Sequence, residues 1–339
     1  MICSPSAVVS TLLSVGVTLA SAVKRIHTGQ IYGDSCNPLG TTRPPLSTER
    51  LRQRSATWLA SVGNGPLGRI LLRPKASTRS CPETLSPTLE DVELGIARTQ
   101  PAYNGQSEAR EIEALYLRTI GNAKDVIYVE SQFLASHAVC DALAARLEQS
   151  GGPEVVIIVP LTAEGRLEEE TMGTARVFIA RRLRQSDGDN RLCLLYPTNA
   201  SGTPIYVHAK IMIVDDRFLR VGSSNLNNRS MGLDTECDIA VEIRPGVRNE
   251  EVMRAAIRAA RNDLLAEHLG VALNIVKDLY EAGRSPVQII DLLARSNGRS
   301  LHHLPLPDLN PAEEQITASQ FLDPEKPEAM LHKLLRLTS

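Results

Sequence analysis

The chain has 339 residues, with 37 lysines and arginines against 39 aspartates and glutamates and a formal net charge of −2. That balance excludes a protein that grips nucleic acid through its overall charge, and no nucleic-acid partner is expected. The length allows one or two domains with a substantial core. The six cysteines, at 3, 36, 81, 140, 193 and 237, show neither paired nor metal-like spacing. They read as isolated thiols of a reducing compartment.

The N-terminal stretch "PSAVVSTLLSVGVTLASAVKR", residues 5–25, is small and apolar without a helical stripe. No basic residue precedes it, which argues against a secretory signal. Its apolar run, Ala7 to Ala20, is also too short, and too interrupted by serine and threonine, for a membrane span. "SCNPLGTTRPPLSTER", residues 35–50, has linker composition, and "LRQRSATWL", residues 51–59, reads as a short helix. Residues 1–87 are therefore taken as an irregular N-terminal region. From Glu111 the pattern becomes regular. "EIEALYLRTIGNAK" is a helix, "DVIYVES" a strand, and "HAVCDALAARLEQ" a helix ending near Gly151 and Gly152. "EVVIIVP" is a buried strand, "EEETMGTARVFIARRLRQ" a helix and "RLCLLYP" a strand. Beyond a hairpin, "EEVMRAAIRAARNDLLAEHL" is a long helix. This alternation predicts an α/β fold over 88–300, a mixed, mostly parallel sheet flanked by helices. Ligands bind such sheets at their strand ends. Residues 301–339, with "LHHLPLPDLNPAEEQ", read as a Pro-rich tail, in which His302 and His303 are taken as incidental neighbours rather than metal ligands. No metal and no cofactor is expected.

The hairpin is "VHAKIMIVDDRFLRVGSSN", residues 207–225. Val207, Ala209, Ile211 and Ile213 alternate with His208, Lys210 and Met212, which predicts a strand with one apolar face. His208 and Lys210 then project from the same side, with Lys210 exposed. Asp215 and Asp216 make the turn, and "RFLRVGS" returns. The return brings Gly222, Ser223 and Asn225 back beside the histidine, with the glycine letting backbone approach a ligand. An imidazole, an ammonium, a hydroxyl and a carboxamide around one concavity suit a tetrahedral phosphoryl group. Lys210, Ser223 and Asn225 would hold its oxygens, while His208 attacks phosphorus or moves a proton.

His208-x-Lys210, Asp215 and Gly222-Ser223-x-Asn225, within residues 202–229, resemble the phosphodiesterase motif of the phospholipase D superfamily. "GSSNLNNRSMGLDTECDIAVE", residues 222–242, resembles the continuation found in bacterial phospholipase D-like and cardiolipin synthase-like proteins. Residues 95–134 resemble the start of their second lobe, and "LLAEHLGV", 264–271, a later segment of it. The resemblance covers 88–325 and implies a phospholipase D-like lobe. It also implies a mechanism: one motif histidine forms a phosphohistidine, a second from another motif copy protonates the departing alcohol, and no metal is required. It implies that Glu236 orients His208, with Asp234 and Asp238 as rivals, and that Asp215 braces its loop or pairs with a nearby base. The implied partners are a phospholipid substrate and a membrane surface, and the implied location is cytoplasmic or peripheral at the membrane.

One feature departs from the family. Of the seven histidines, only His208 has a lysine two residues on. The chain then carries half of a two-motif site, with residues 1–87 as a remnant of a first lobe or the product of a truncated start. A homodimer or a missing N-terminal lobe would supply the other half. The expected activity is a phospholipase D-type phosphodiesterase cleaving phospholipid head groups. The alternatives are a cardiolipin synthase-like phosphatidyl transferase, and an inactive orphan lobe or phosphate-binding module.

Overall fold

The computed structural model describes residues 88–89, 92–103, 105–163, 172–307 and 323–324. The apolar stretch, the linker, the helix at 51–59 and most of the tail lie outside the described residues. Nine strands among the described residues form one sheet: β1 Leu94–Gln100, β2 Ala109–Arg110, β3 Val126–Ser131, β4 Glu154–Ile158, β5 Leu192–Thr198, β6 Lys210–Val214, β7 Phe218–Gly222, β8 Glu236–Glu242 and β9 Ser300–His303. Their order is β2-β1-β8-β7-β6-β3-β4-β5-β9. The helices among the described residues are α1 Glu111–Asn122, α2 His137–Leu147, α3 Thr174–Ser186, α4 Asn228–Gly232, α5 Glu250–Leu269, α6 Leu273–Glu281 and α7 Pro286–Leu293.

The expected α/β class and the mixed sheet flanked by helices are present, but the sheet is not mostly parallel. Only β3–β4 and β4–β5 pair in parallel, across α2 and α3. The remaining neighbours run antiparallel. The reason lies in the connections: a parallel pair needs a helical crossover, whereas the tight turn between β6 and β7 admits only antiparallel pairing. In that turn Asp215 and Asp216 both have positive φ, 54° and 52°, and the Arg217 amide donates to the Val214 carbonyl at 3.0 Å. Two successive left-handed residues are what a two-residue hairpin requires, and aspartate tolerates them better than most side chains.

Each face of the sheet has its own core. On one, Ile112, Tyr116, Leu143 and Leu183 pack with Ile127, Val129, Met212 and Val214. On the other, Ile257, Leu264, Leu265 and Ile290 pack with Tyr128, Val156, Ile211 and Ile213. A central strand covered on both sides has no polar face, so β6 is buried at all five of its positions. The expectation of one apolar face is corrected accordingly. Regular strand begins at Lys210, leaving His208 in the extended segment ahead of it. Burying a side chain such as Ile211 or Ile213 contributes about 1.5–3 kcal/mol.

The flanking helices are bounded by local chemistry. Ser136 accepts the Val139 amide to start α2. Ser285 and Gln288 form a capping box with Pro286 at the first turn of α7. The long α5 stops at Gly270, whose φ is 65°. Cys140, Cys193 and Cys237 are buried free thiols, each pushed up to about 12 chiefly by that burial. β9 adds an edge strand in the stretch read as the start of the tail. Its His302 stacks on Tyr196, ring centroids 5.4 Å apart. No helix among the described residues is long and apolar enough to cross a membrane.

Candidate active site

Four strand ends meet at one edge of the sheet. Ser131, the last residue of β3, pairs with Lys210, the first of β6. Ile211 pairs with Val221 of β7, and Gly222, the end of β7, pairs with Asp238 near the start of β8. The sequence features singled out around His208 are therefore gathered by topology, except one.

That exception is Asp215, at the far end of β6. Five residues of strand separate the two ends by roughly 16 Å. Its carboxylate accepts the backbone amides of Lys124 and Asp125, each at 2.8 Å, and of Val126 at 2.9 Å. It braces the loop through three backbone amides, at the end of β6 opposite His208. The adjoining Asp216 pairs with Arg261 and accepts the Tyr280 hydroxyl at 3.1 Å.

His208 is exposed at the site edge. Even so, the protein packed around its ring and the neighbouring Lys210 charge push its pKa down to about 4. The imidazole is thus neutral at neutral pH and can act as a nucleophile or take up a proton. Lys210 is not exposed as expected; it is 9% accessible. Its Nζ donates to Gln132 Oε1 and to the His208 carbonyl, both at 3.0 Å. The ammonium thereby ties down the backbone that carries the histidine. Gln132 in turn donates from Nε2 to the Tyr206 hydroxyl at 2.8 Å. Gln132 was not singled out from the sequence; its signal is its place, one residue past the β3 position that pairs with Lys210.

Gly222 makes a close approach to Asp238. A Cβ there would overlap the Asp238 carboxylate, so the glycine serves the β7–β8 contact. Ser223 Oγ donates to Glu236 Oε2 and accepts the Cys237 amide at 3.0 Å. The Asn225 amide donates to Ser230 Oγ at 3.1 Å, while its buried Oδ1 meets no partner among the described residues. Glu236 Oε1 accepts Ser230 Oγ at 2.8 Å. Burial pushes the Glu236 pKa up to about 7, against the lowering effect of the two serine hydrogen bonds. Among the described residues, no hydrogen bond joins Glu236 to His208. Its two rivals are held by arginines. Asp234 accepts Arg229 Nη2 at 2.7 Å. Asp238 accepts Arg220 Nε at 2.7 Å and Ser224 Oγ at 2.6 Å, with the Arg220 guanidinium over the Tyr116 ring.

The edge therefore presents a neutral imidazole next to a buried ammonium, backed by a hydroxyl–carboxyl pair poised near neutrality. That inventory can attack or bind phosphorus and stabilise its negative oxygens.

Residues 192–309, which contain all of these strand ends but that of β3, match the family model described as Phospholipase D. Over that span the chain is similar to the phospholipase D family. A phospholipase D of Phytophthora infestans is 26% identical over 287 residues, covering 70% of this chain and 15% of that protein. Phospholipase D zeta 2 of Arabidopsis thaliana is 28% identical over 208 residues, covering 47% of this chain and 20% of its own length. The chain thus spans a fifth or less of these relatives. Among solved structures, the phospholipase D family member Nuc of Salmonella typhimurium is similar at 17% identity and a TM-score of 0.34, over 51% of this chain and 93% of that one. Phosphatidylserine synthase of Haemophilus influenzae is similar at 17% identity and a TM-score of 0.38, over 71% and 53%.

Proposed function

We propose that the chain is a phosphodiesterase acting on phospholipid head groups, with His208 as the attacking residue. The observation that carries this reading is an imidazole kept neutral beside an ammonium that hydrogen-bonds the same backbone segment. An imidazole nitrogen of His208 attacks phosphorus; the P–N bond forms as the bond to the head-group oxygen breaks. The departing oxygen takes a proton, and water then attacks the phosphohistidine, returning the imidazole. Lys210 stabilises the negative charge on the phosphoryl oxygens. In this reading Ser223 and Asn225 also hold the phosphoryl oxygens, and Glu236 acts through Ser223, whose hydroxyl it accepts, rather than on the histidine directly.

His208 cannot stand on both sides of one phosphorus atom. The proton for the leaving oxygen therefore comes from outside this lobe, from a preceding lobe or a second copy of the chain. Residues 88–300 form the lobe in this reading, working peripherally at a cytoplasmic membrane surface. A lipid alcohol in place of water in the second step would make the same site a phosphatidyl transferase.

The test is choline release from short-chain phosphatidylcholine by the full chain, with and without glycerol as acceptor. Wild-type turnover should be weak, and His208→Ala should lower it at least ~10²-fold, the lower range for one acid–base or nucleophilic role. Equal choline release by wild type and variant would overturn the assignment. No release above blank by the wild type would favour an orphan lobe or binding module.

A further inference from the structure

We propose that Asp323, remote from the motif in sequence, is a positioning residue that pins α4 and through it the Glu236 carboxyl. The proposal rests on the reading of this strand edge as the catalytic one. α4 spans only Asn228–Gly232. A helix of one turn cannot hold itself in place, because nucleation costs more than so few bonds return. Its position must come from its neighbours.

The first amides of any helix lack partners within it. In α4 the N-cap Asn227 accepts the Ser230 amide, leaving those of Asn228 and Arg229. Both go to Asp323. The Asn228 amide donates to Oδ2 and the Arg229 amide to Oδ1, each at 2.8 Å. Asp323 is 7% accessible, so this is a buried carboxylate spanning two adjacent amides. The same helix carries Ser230, whose Oγ donates to Glu236 and accepts the Asn225 amide. Asn228 Oδ1 accepts the His137 amide at 3.0 Å, tying α4 to the start of α2. A displacement of α4 therefore moves the hydroxyl that sets the Glu236 carboxyl and the backbone of Asn225 together. Asp323 is the one contact in this set that comes from beyond β9.

The test uses the full chain with Asp323→Ala and Asp323→Asn. Amide exchange at Asn228 and Arg229 should rise at least ~10-fold in Asp323→Ala, as for a locally opened segment, while that of β3 and β4 is unchanged. The Glu236 titration, followed by carboxyl-carbon NMR, should move from its wild-type midpoint. Choline release should fall about 10-fold in kcat with KM little changed, because orientation rather than ground-state binding is lost. Asp323→Asn keeps one acceptor and should fall between; it is read on the same measures should Asp323→Ala fail to fold. Unchanged exchange overturns the proposal. Faster exchange with an unmoved Glu236 titration also overturns it, making Asp323 a fold contact only. A wild type without turnover counts against the phosphodiesterase reading alone, since exchange and titration still decide the role of Asp323.

Discussion

Replacing Asp215 by alanine separates the structural and chemical halves of the motif. The carboxylate accepts three backbone amides, those of Lys124, Asp125 and Val126. Hydrogen bonds to a charged group contribute about 1.5–3 kcal/mol each when buried. Two of these three are solvent-exposed, and three bonds to one carboxylate are not additive, so about 3 kcal/mol is the expected total. For a lobe of some 200 residues that corresponds to a fall of roughly 6–12 °C in unfolding midpoint. The two positive φ values add nothing to the cost of Asp215→Asn, which tolerates that region and keeps one acceptor. Asn should therefore cost about half as much. The assay is thermal and urea unfolding of both variants beside choline release per folded molecule at a temperature where all are folded. Stability should drop while activity per folded molecule persists. A midpoint within a degree of wild type with abolished turnover would refute the assignment and return Asp215 to the chemistry.

Lys210→Met keeps the buried volume and removes the charge, so turnover should fall while the unfolding midpoint moves little. Because the Lys210 charge helps depress the His208 pKa, the His208 ring should titrate above about 4 in this variant; an unmoved NMR midpoint would contradict the coupling. For Glu236 the folded state holds its proton up to about 7, against 4.5 for the free group. Wild-type stability from this group is therefore full below 4.5 and is lost as pH rises to 7. Glu236→Gln carries no such proton, so urea unfolding at pH 5 and pH 8 should show the variant gaining on wild type at the higher pH; a constant difference would sink the raised pKa. Arg220→Met strands the fully buried Asp238 and should cost about 3–5 kcal/mol, much of it recovered in the double variant with Asp238→Leu, as a double-mutant cycle by urea unfolding would show.

The hairpin was legible because its signals are local. Alternating apolar residues, two turn-forming aspartates and a return run lie within one short segment. The helices were legible for the same reason, as with the long α5. What failed depended on residues far away. Lys210 looked exposed because alternation alone cannot reveal that helices cover both faces of β6. The mostly parallel sheet failed because β6 and β7 are joined by a tight turn, and because β8 and β9, although helices precede them, run antiparallel to their neighbours. The contact of Gly222 with Asp238 was not legible, because Asp238 lies on the next strand. Gln132, Ser230 and Asp323 carry no sequence pattern; they matter only through partners that folding brings to them.

The Gln132–Lys210 hydrogen bond also says something about the order in which the molecule assembles. It joins residues 78 positions apart, and closing a loop of that length costs about 4 kcal/mol in chain entropy. The β6–β7 hairpin needs no such closure and can form within microseconds. On the way to the native state the histidine and lysine are therefore present on a formed hairpin before their anchor arrives. Docking of that hairpin is secured at its opposite tip, where Asp215 meets the amides that begin β3. Both contacts bridge the hairpin to β3 and its approach across loops of similar length, so one docking event fixes the turn and completes the reactive edge together.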